Sequence, residues 1–573
     1  MTLNREKLIP LLGDFTIAFL LCFPVFLSKN AILGSEKVDV WNHIWGSWWW
    51  SVYLGKGEFP WETKYLLWPE GGVLWFIDPI LAFLGAPLAV FSPILAYNLI
   101  LFLYVAFASF AARTFAQAIG AAPQASWLAS IAFALSPWMI GELHNGISEA
   151  ANIGPAAIAL AWTEWAAQKT SRRSSDAWKW WILAGLGIGL CFTASPYLGL
   201  GVSFAALIRG FPAIRLAWIG AAVAITTSLP TILALKSQLE HSAAIIKKPD
   251  TMNATLALHN AVDPRIFVTP FGFQSRDLSS EGFYHSMYFG LIVLAFAFSV
   301  IRQRKLWGCA AGVAIILSLG PYLYWGDEWL ILGNSRIRLP WWYVQQQGLA
   351  ITHPLRLAVP ALAIFSALAA LGASKIRWLD KTALIGLLIA TDALLLSGAP
   401  WPIETANGNI PSVYKDIKQD AAKRGVLDLP TDSGYTMSAS RYLYYQTYHG
   451  KPIPYAPDVR ASTSSLLRIN GFRRLAAMSN RRPDENKALG LSGAMLGESD
   501  FDTLRDGKIG WIVLHKDVDP SVYNKLYSAL TQELGDGTSS GRATVWKLTG
   551  RGKAMPIKGN PGTQKKNIDP RAK

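Results

Sequence analysis

The chain is poor in cysteine, histidine and charge: its 573 residues include three Cys, eight His and only 16% Asp, Glu, Lys and Arg. Cys22, Cys191 and Cys309 fall in separate apolar runs, which excludes a disulfide framework or cysteine-based metal spacing and makes small buried apolar residues the expectation for all three. No Walker loop, dinucleotide fingerprint, zinc-helix motif or hydrolase elbow stands in a credible context, so ATP-driven transport by this chain alone is not expected. No internal repeat of solenoid type is present. Acids are outnumbered by bases, 38 to 53, for a net charge of +15. That excess by itself suggests a polyanionic partner, but the placement of the basic residues argues against nucleic acid.

What the chain has is apolar surface. Its composition is 51% hydrophobic with 25 Trp, too apolar for a soluble protein of this size. A bilayer core takes roughly 20 apolar residues per spanning helix, and about eleven stretches qualify. They lie near residues 8–27, 96–112, 124–140, 153–167, 180–194, 197–208, 214–235, 287–301, 306–324, 357–373 and 383–396. The stretch 80–91 is short and carries Gly85 and Pro87, so it is expected as a juxtamembrane or re-entrant helix. Lys and Arg gather in alternate short loops: Arg5 and Lys7; Arg113; Lys169, Arg172, Arg173 and Lys179; Arg209 and Arg215; Arg302, Arg304 and Lys305; Lys375, Arg377 and Lys381. The positive-inside rule makes these loops cytoplasmic. The expected protein is a multi-pass protein of the bacterial cytoplasmic (inner) membrane with its amino terminus inside and its carboxy-terminal domain outside. The first span lacks a small-residue cleavage site and reads as an uncleaved anchor.

Three regions follow. Residues 1–398 form the transmembrane domain, whose first outer loop, 29–80, carries juxtamembrane helices. Residues 399–550 read as a small extracytoplasmic α/β domain, with strands near 425–430, 510–515 and 543–548 and a helix from Pro520 to about Leu534, capped by Asp519. The basic tail, 551–573, has the composition of a disordered segment.

Acidic and His positions cluster in the outer loops, which suggests chemistry on a lipid-borne substrate at the membrane surface. Asp39 and His43 stand four apart at the head of a tryptophan-rich run to Trp50, which is expected to be a helix lying at the interface. A partly desolvated carboxylate there can accept a proton from an acceptor hydroxyl; the bland alternatives are an N-cap for Asp39 and a satisfied interfacial histidine for His43. Glu36 precedes this pair. Glu70 and Asp78 close the loop in Trp68-Pro69-Glu70-Gly71-Gly72 and Asp78-Pro79, where Asp78 could contact substrate or simply cap the helix that Pro79 begins. Glu142, His144 and Glu149, at the outer end of the third span, could face the site or be solvated. Arg336, Arg338, His353 and Arg356 are candidate phosphate clamps, because Arg forks match phosphate oxygens; anchoring of the tenth span is the alternative.

The combination of an inside amino terminus, an acidic first outer loop with a juxtamembrane helix, many spans and an outer terminal domain resembles the GT-C class of membrane glycosyltransferases. The second half, with His353-Pro354-Leu355-Arg356 and Arg441-Tyr-Leu-Tyr-Tyr-Gln-Thr-Tyr-His449-Gly450-Lys451-Pro452, is similar to the YfhO-like branch. The resemblance implies a polytopic α-helical GT-C-like fold, a polyprenyl-phosphate-linked sugar as donor, membrane lipid as surroundings, and a glycan, lipid or protein as acceptor. It also implies Asp39 as catalytic base. The acids here run Glu36-Lys-Val-Asp39, where the family has them adjacent or one apart, so a divalent metal is compatible with the pattern without being implied by it. The alternative is a non-enzymatic transporter or assembly factor for a lipid-linked glycan or lipoprotein. Asp392, inside the eleventh stretch, is the feature that favours transport.

Overall fold

The computed structural model describes residues 5–36, 39–246, 250–274, 282–347, 351–375, 382–431, 438–457, 468–479 and 496–548. The basic tail and the loop residues Arg377 and Lys381 lie outside them. The chain divides into two compact units: residues 1–61 with 74–408, and residues 62–73 with 409–573. The second unit takes residues 62–73 out of the segment that the sequence reads as one outer loop.

The first unit is helical. Helix α1 (Arg5–Cys22) leads to a short strand, Ala31–Leu33, which pairs antiparallel with Thr405–Asn407. Helix α2 (Val40–Leu54) follows, then α3 (Pro79–Ala89) and α4 (Pro93–Ala118). Asp78 and Ser92 cap the last two, accepting from the Leu81 and Leu95 amides at 3.0 and 3.2 Å, and a proline opens each helix. The third expected span is broken into α5 (Ser126–Ala134) and α6 (Pro137–Asn145). Proline lacks the amide an interior helical turn needs, and Ser136 restarts the chain by accepting from Met139 N–H at 3.3 Å. Gly146 ends α6 at φ +73°, and the short α7 (Ser148–Ala151) and the long α8 (Gly154–Ser171) follow.

Among the described residues, five helical segments are long and apolar enough to cross a membrane: Ile9–Leu27, Pro93–Ala118, Ala177–Ala194, Pro196–Glu240 and Pro354–Ala373. The last is almost wholly buried in protein, whereas Pro196–Glu240 exposes Trp218, Ile225 and Leu233, as a lipid-facing helix does. The stretch ending near residue 396 is shorter, Thr382–Leu396, and winds into a π-helix at Asp392–Leu396.

Helix α2 differs from an interfacial helix in one respect. Trp41, Trp45 and Trp49 are fully buried, and Trp45 stacks on Trp49 with centroids 5.2 Å apart. The run is packed into the first unit against α3 and α4, so these indoles face protein.

The second unit holds a four-stranded sheet in the order Thr538–Ser540, Ala543–Lys547, Ile509–His515, Gly425–Leu429, with the last pair parallel. Helix Pro520–Leu534 starts where Asp519 accepts from the Ser521 and Val522 amides. Asp428, buried in this unit, lies 3.0 Å from His515 Nε2 and accepts from the Tyr414 hydroxyl.

Candidate active site

Three elements distant in sequence meet at the start of α2. A Cβ on Gly146 would lie 2.8 Å from the Val40 nitrogen, so the end of α6 abuts the head of α2, and the absence of a side chain permits it. Ser35 N–H donates to the His144 carbonyl at 2.7 Å, tying the first loop to the same corner. Helix α7 and the capped end of α3 complete the enclosure.

Within it runs a buried chain of polar contacts. Asp78, with no exposed surface, accepts from Leu81 N–H and, at 3.3 Å, from the Tyr104 hydroxyl on Oδ1, and from the Ser148 hydroxyl at 2.7 Å on Oδ2. Ser148 Oγ lies 2.8 Å from His43 Nδ1. His43 Nε2 lies 3.3 Å from Glu149 Oε2, and Glu149 Oε1 accepts from Arg356 Nη1 at 2.9 Å. Arg356 sits on the 3-10 turn Pro354–Ala358, over the Tyr197 ring. Burial pushes the Asp78 carboxyl up to about 7, with the nearby charge of Glu149 adding and the hydrogen bonds from Leu81, Ser148 and Tyr104 opposing.

The chain supports two proton arrangements. With Asp78 ionised, Ser148 donates to it and accepts from His43 Nδ1–H; with Asp78 protonated, the carboxyl donates to Ser148, which donates to Nδ1, and His43 turns its Nε2–H toward Glu149. A proton can therefore be held on Asp78 or on the His43 ring, within a buried line that finishes on an arginine.

Asp39 sits half-buried immediately before α2. It occupies the cap position but makes no side-chain cap bond; its carbonyl accepts from the Asn42 and His43 amides, and Asn42 Nδ2 donates to its Oδ1 at 3.3 Å. Asp39 therefore stands one turn before His43, whose ring meets Ser148 and Glu149.

The other sequence candidates occupy distinct positions. Asp78 does cap α3, and the same carboxylate is the hub of the buried chain. Glu36 is exposed and accepts from Asn407 N–H at 2.9 Å, fastening the loop to strand Thr405–Asn407. His144 lies in the last turn of α6. His353 shares a narrow cleft with Arg356, Trp138, Asn260 and His285, and its Nδ1 is 2.8 Å from Thr352 Oγ1. Arg336 and Arg338 are exposed on and beside a separate hairpin, over the rings of Trp329 and Trp342. Glu70 is exposed and belongs to the second unit. Asp392 accepts from the Tyr288 hydroxyl on Oδ1 at 2.9 Å, near the start of helix Leu291–Ile301.

Ser148 and Tyr104 have no sequence signature and join the site only in three dimensions. Glu142, fully buried, lies 2.9 Å from His285 Nδ1. Among the described residues, no group of three or more His, Cys, Asp or Glu is arranged to hold a metal ion.

No family model matches this chain, and no curated protein does. Solved structures do. The arabinofuranosyltransferase AftD from Mycobacteria superposes with a TM-score of 0.51 at 14% identity, over 96% of this chain and 40% of that one. ArnT from Cupriavidus metallidurans, in a structure bound to undecaprenyl phosphate, superposes with a TM-score of 0.50 at 10% identity, over 96% and 99%. This chain thus spans about two fifths of AftD and nearly all of ArnT. At such identities the likeness is one of fold alone.

Proposed function

We propose that the protein is a membrane glycosyltransferase that moves a sugar from a polyprenyl-phosphate carrier to an acceptor on the outer face of the cytoplasmic membrane. The observation that carries this reading is the buried line Asp78, Ser148, His43, Glu149, Arg356 beside Asp39, in a fold shared with a protein solved bound to undecaprenyl phosphate. Asp39 takes the proton of the acceptor hydroxyl as its oxygen bonds to the anomeric carbon. The bond from that carbon to the carrier phosphate breaks, and the electron pair leaves with the phosphate, whose charge Arg356 stabilises. One displacement inverts the anomeric centre and needs no covalent enzyme intermediate. His43 and Glu149 hold Arg356 and the floor of the site, while Glu36 holds the loop in place. The positive-inside distribution supports placing this corner outside, and His353-Pro354-Leu355-Arg356 supports the YfhO-like branch.

The test is binding of the product carrier, which requires no knowledge of the sugar. Undecaprenyl phosphate should raise the thermal midpoint of the purified protein by about 2–5 °C at saturation. Arg356→Gln should abolish the rise, while Arg356→Lys retains part of it. A wild-type protein indifferent to the carrier would contradict the reading and favour an assembly role.

A further inference from the structure

A second polar cavity lies away from this corner, at the helix ends that carry the basic loops. It measures about 420 Å³ and is lined by residues from the end of α4, from α8, from the last turn of helix Pro196–Gly210 at Arg209, and from the 3-10 turn Arg302–Arg304. Its one carboxylate is already satisfied. Glu164, buried in α8, accepts from Arg209 Nε and Nη2 at 2.5 and 3.2 Å, from Gln168 Nε2 at 2.8 Å and from Trp307 Nε1 at 2.9 Å. Four donors on one carboxylate neutralise it locally and fix Arg209, so it does not oppose a second anion. Two further cations line the same space. Arg304 spends one N–H on the Ile119 carbonyl at 2.5 Å, an approach that Gly120, at φ +102°, leaves open. Arg172 is exposed. The cavity therefore carries a surplus of two positive charges over Glu164, plus the side-chain polar groups of Gln117, Gln168 and Ser171.

We infer that this cavity binds a phosphate group of net negative charge, one not offset by a cation of its own molecule, at the membrane face opposite the proposed active site, with Arg172 and Arg304 as its ligands and the Glu164–Arg209 pair as its rigid floor. The inference does not depend on the glycosyltransferase reading. Arginine forks suit phosphate oxygens, and a cavity at the end of spanning helices opens where phospholipid headgroups lie. The same chemistry fits an anionic phospholipid headgroup or a free phosphate compound, and the two sources separate in one experiment. The purified protein is heated with a short-chain phosphatidylglycerol, with the matching phosphatidylcholine, or with inorganic phosphate. The expected result is a rise in the thermal midpoint of about 2–4 °C with phosphatidylglycerol and none with phosphatidylcholine. At least half of that rise should be lost in Arg172→Gln and all of it in Arg172→Gln with Arg304→Gln. Arg172→Gln alone guards against misfolding, since that side chain is exposed. A rise with inorganic phosphate that both variants remove equally supports the same site with a free phosphate as its ligand. An anionic-lipid response that survives unchanged in the double variant, or equal responses to both lipids, overturns the proposal.

Discussion

At the scale of the residue, the site turns on Ser148, a hydroxyl that bridges a carboxylate and an imidazole with no water contact of its own. Removing it leaves two buried groups short of a partner, which costs about 1–3 kcal/mol. Ser148→Ala should therefore lower the unfolding free energy by that amount. It should also slow glycosyl transfer by about 10–100-fold through misplacement of His43 and Arg356, read by comparing thermal melts and turnover of the same preparation. Asp78 makes a pH prediction. Its folded-state value, about 7, is raised above the unfolded carboxyl, so between the two the folded protein binds the extra proton. Stability from this group is then highest at acidic pH and declines as pH rises from about 4 to 7, by a few kcal/mol at most. Asp78→Asn keeps the capping oxygen but has no proton to lose, so its thermal midpoint should fall less than that of the wild type across that interval. Parallel pH profiles would contradict the assignment.

At the scale of the element, the decisive contact is backbone against backbone: Gly146 closing α6 against the first residue of α2. An alanine there must adopt a left-handed conformation and place its Cβ 2.8 Å from Val40 N. Gly146→Ala should cost at least about 1–2 kcal/mol and displace Asp39, so activity should fall more steeply than the melting temperature. Much of this level was legible in the sequence. Asp78-Pro79 announced the start of α3, Asp519-Pro520 announced the helix that follows it, and the run from Val40 to Trp50 announced α2, because caps, prolines and periodicity act locally. The burial of α2 was not legible: tryptophan suits both a headgroup layer and a protein interior, and only the packing shows that Trp45 and Trp49 face protein. Nor was the break at Ser136-Pro137 read from an apolar stretch that otherwise spans a bilayer. Ser148 stayed hidden because its partners lie 70 and 105 positions away and a serine carries no period, charge or motif.

At the scale of the whole molecule, residues that look scattered along the sequence, Asp78, Ser148, His43 and Glu149, meet because α2, α3 and α7 are brought to one corner of a helical unit, with Asp39 one turn before His43. The central claim is that Asp39 at that corner removes the acceptor proton. It is tested most directly by replacing the chromosomal copy with Asp39→Asn in the native host, verifying normal insertion and amount, and comparing surface glycans by mass spectrometry with wild type and a deletion strain. The account predicts that the substitution matches the deletion, with one glycosyl addition missing whose mass identifies the sugar. A deletion that loses the addition while Asp39→Asn retains it would contradict the account.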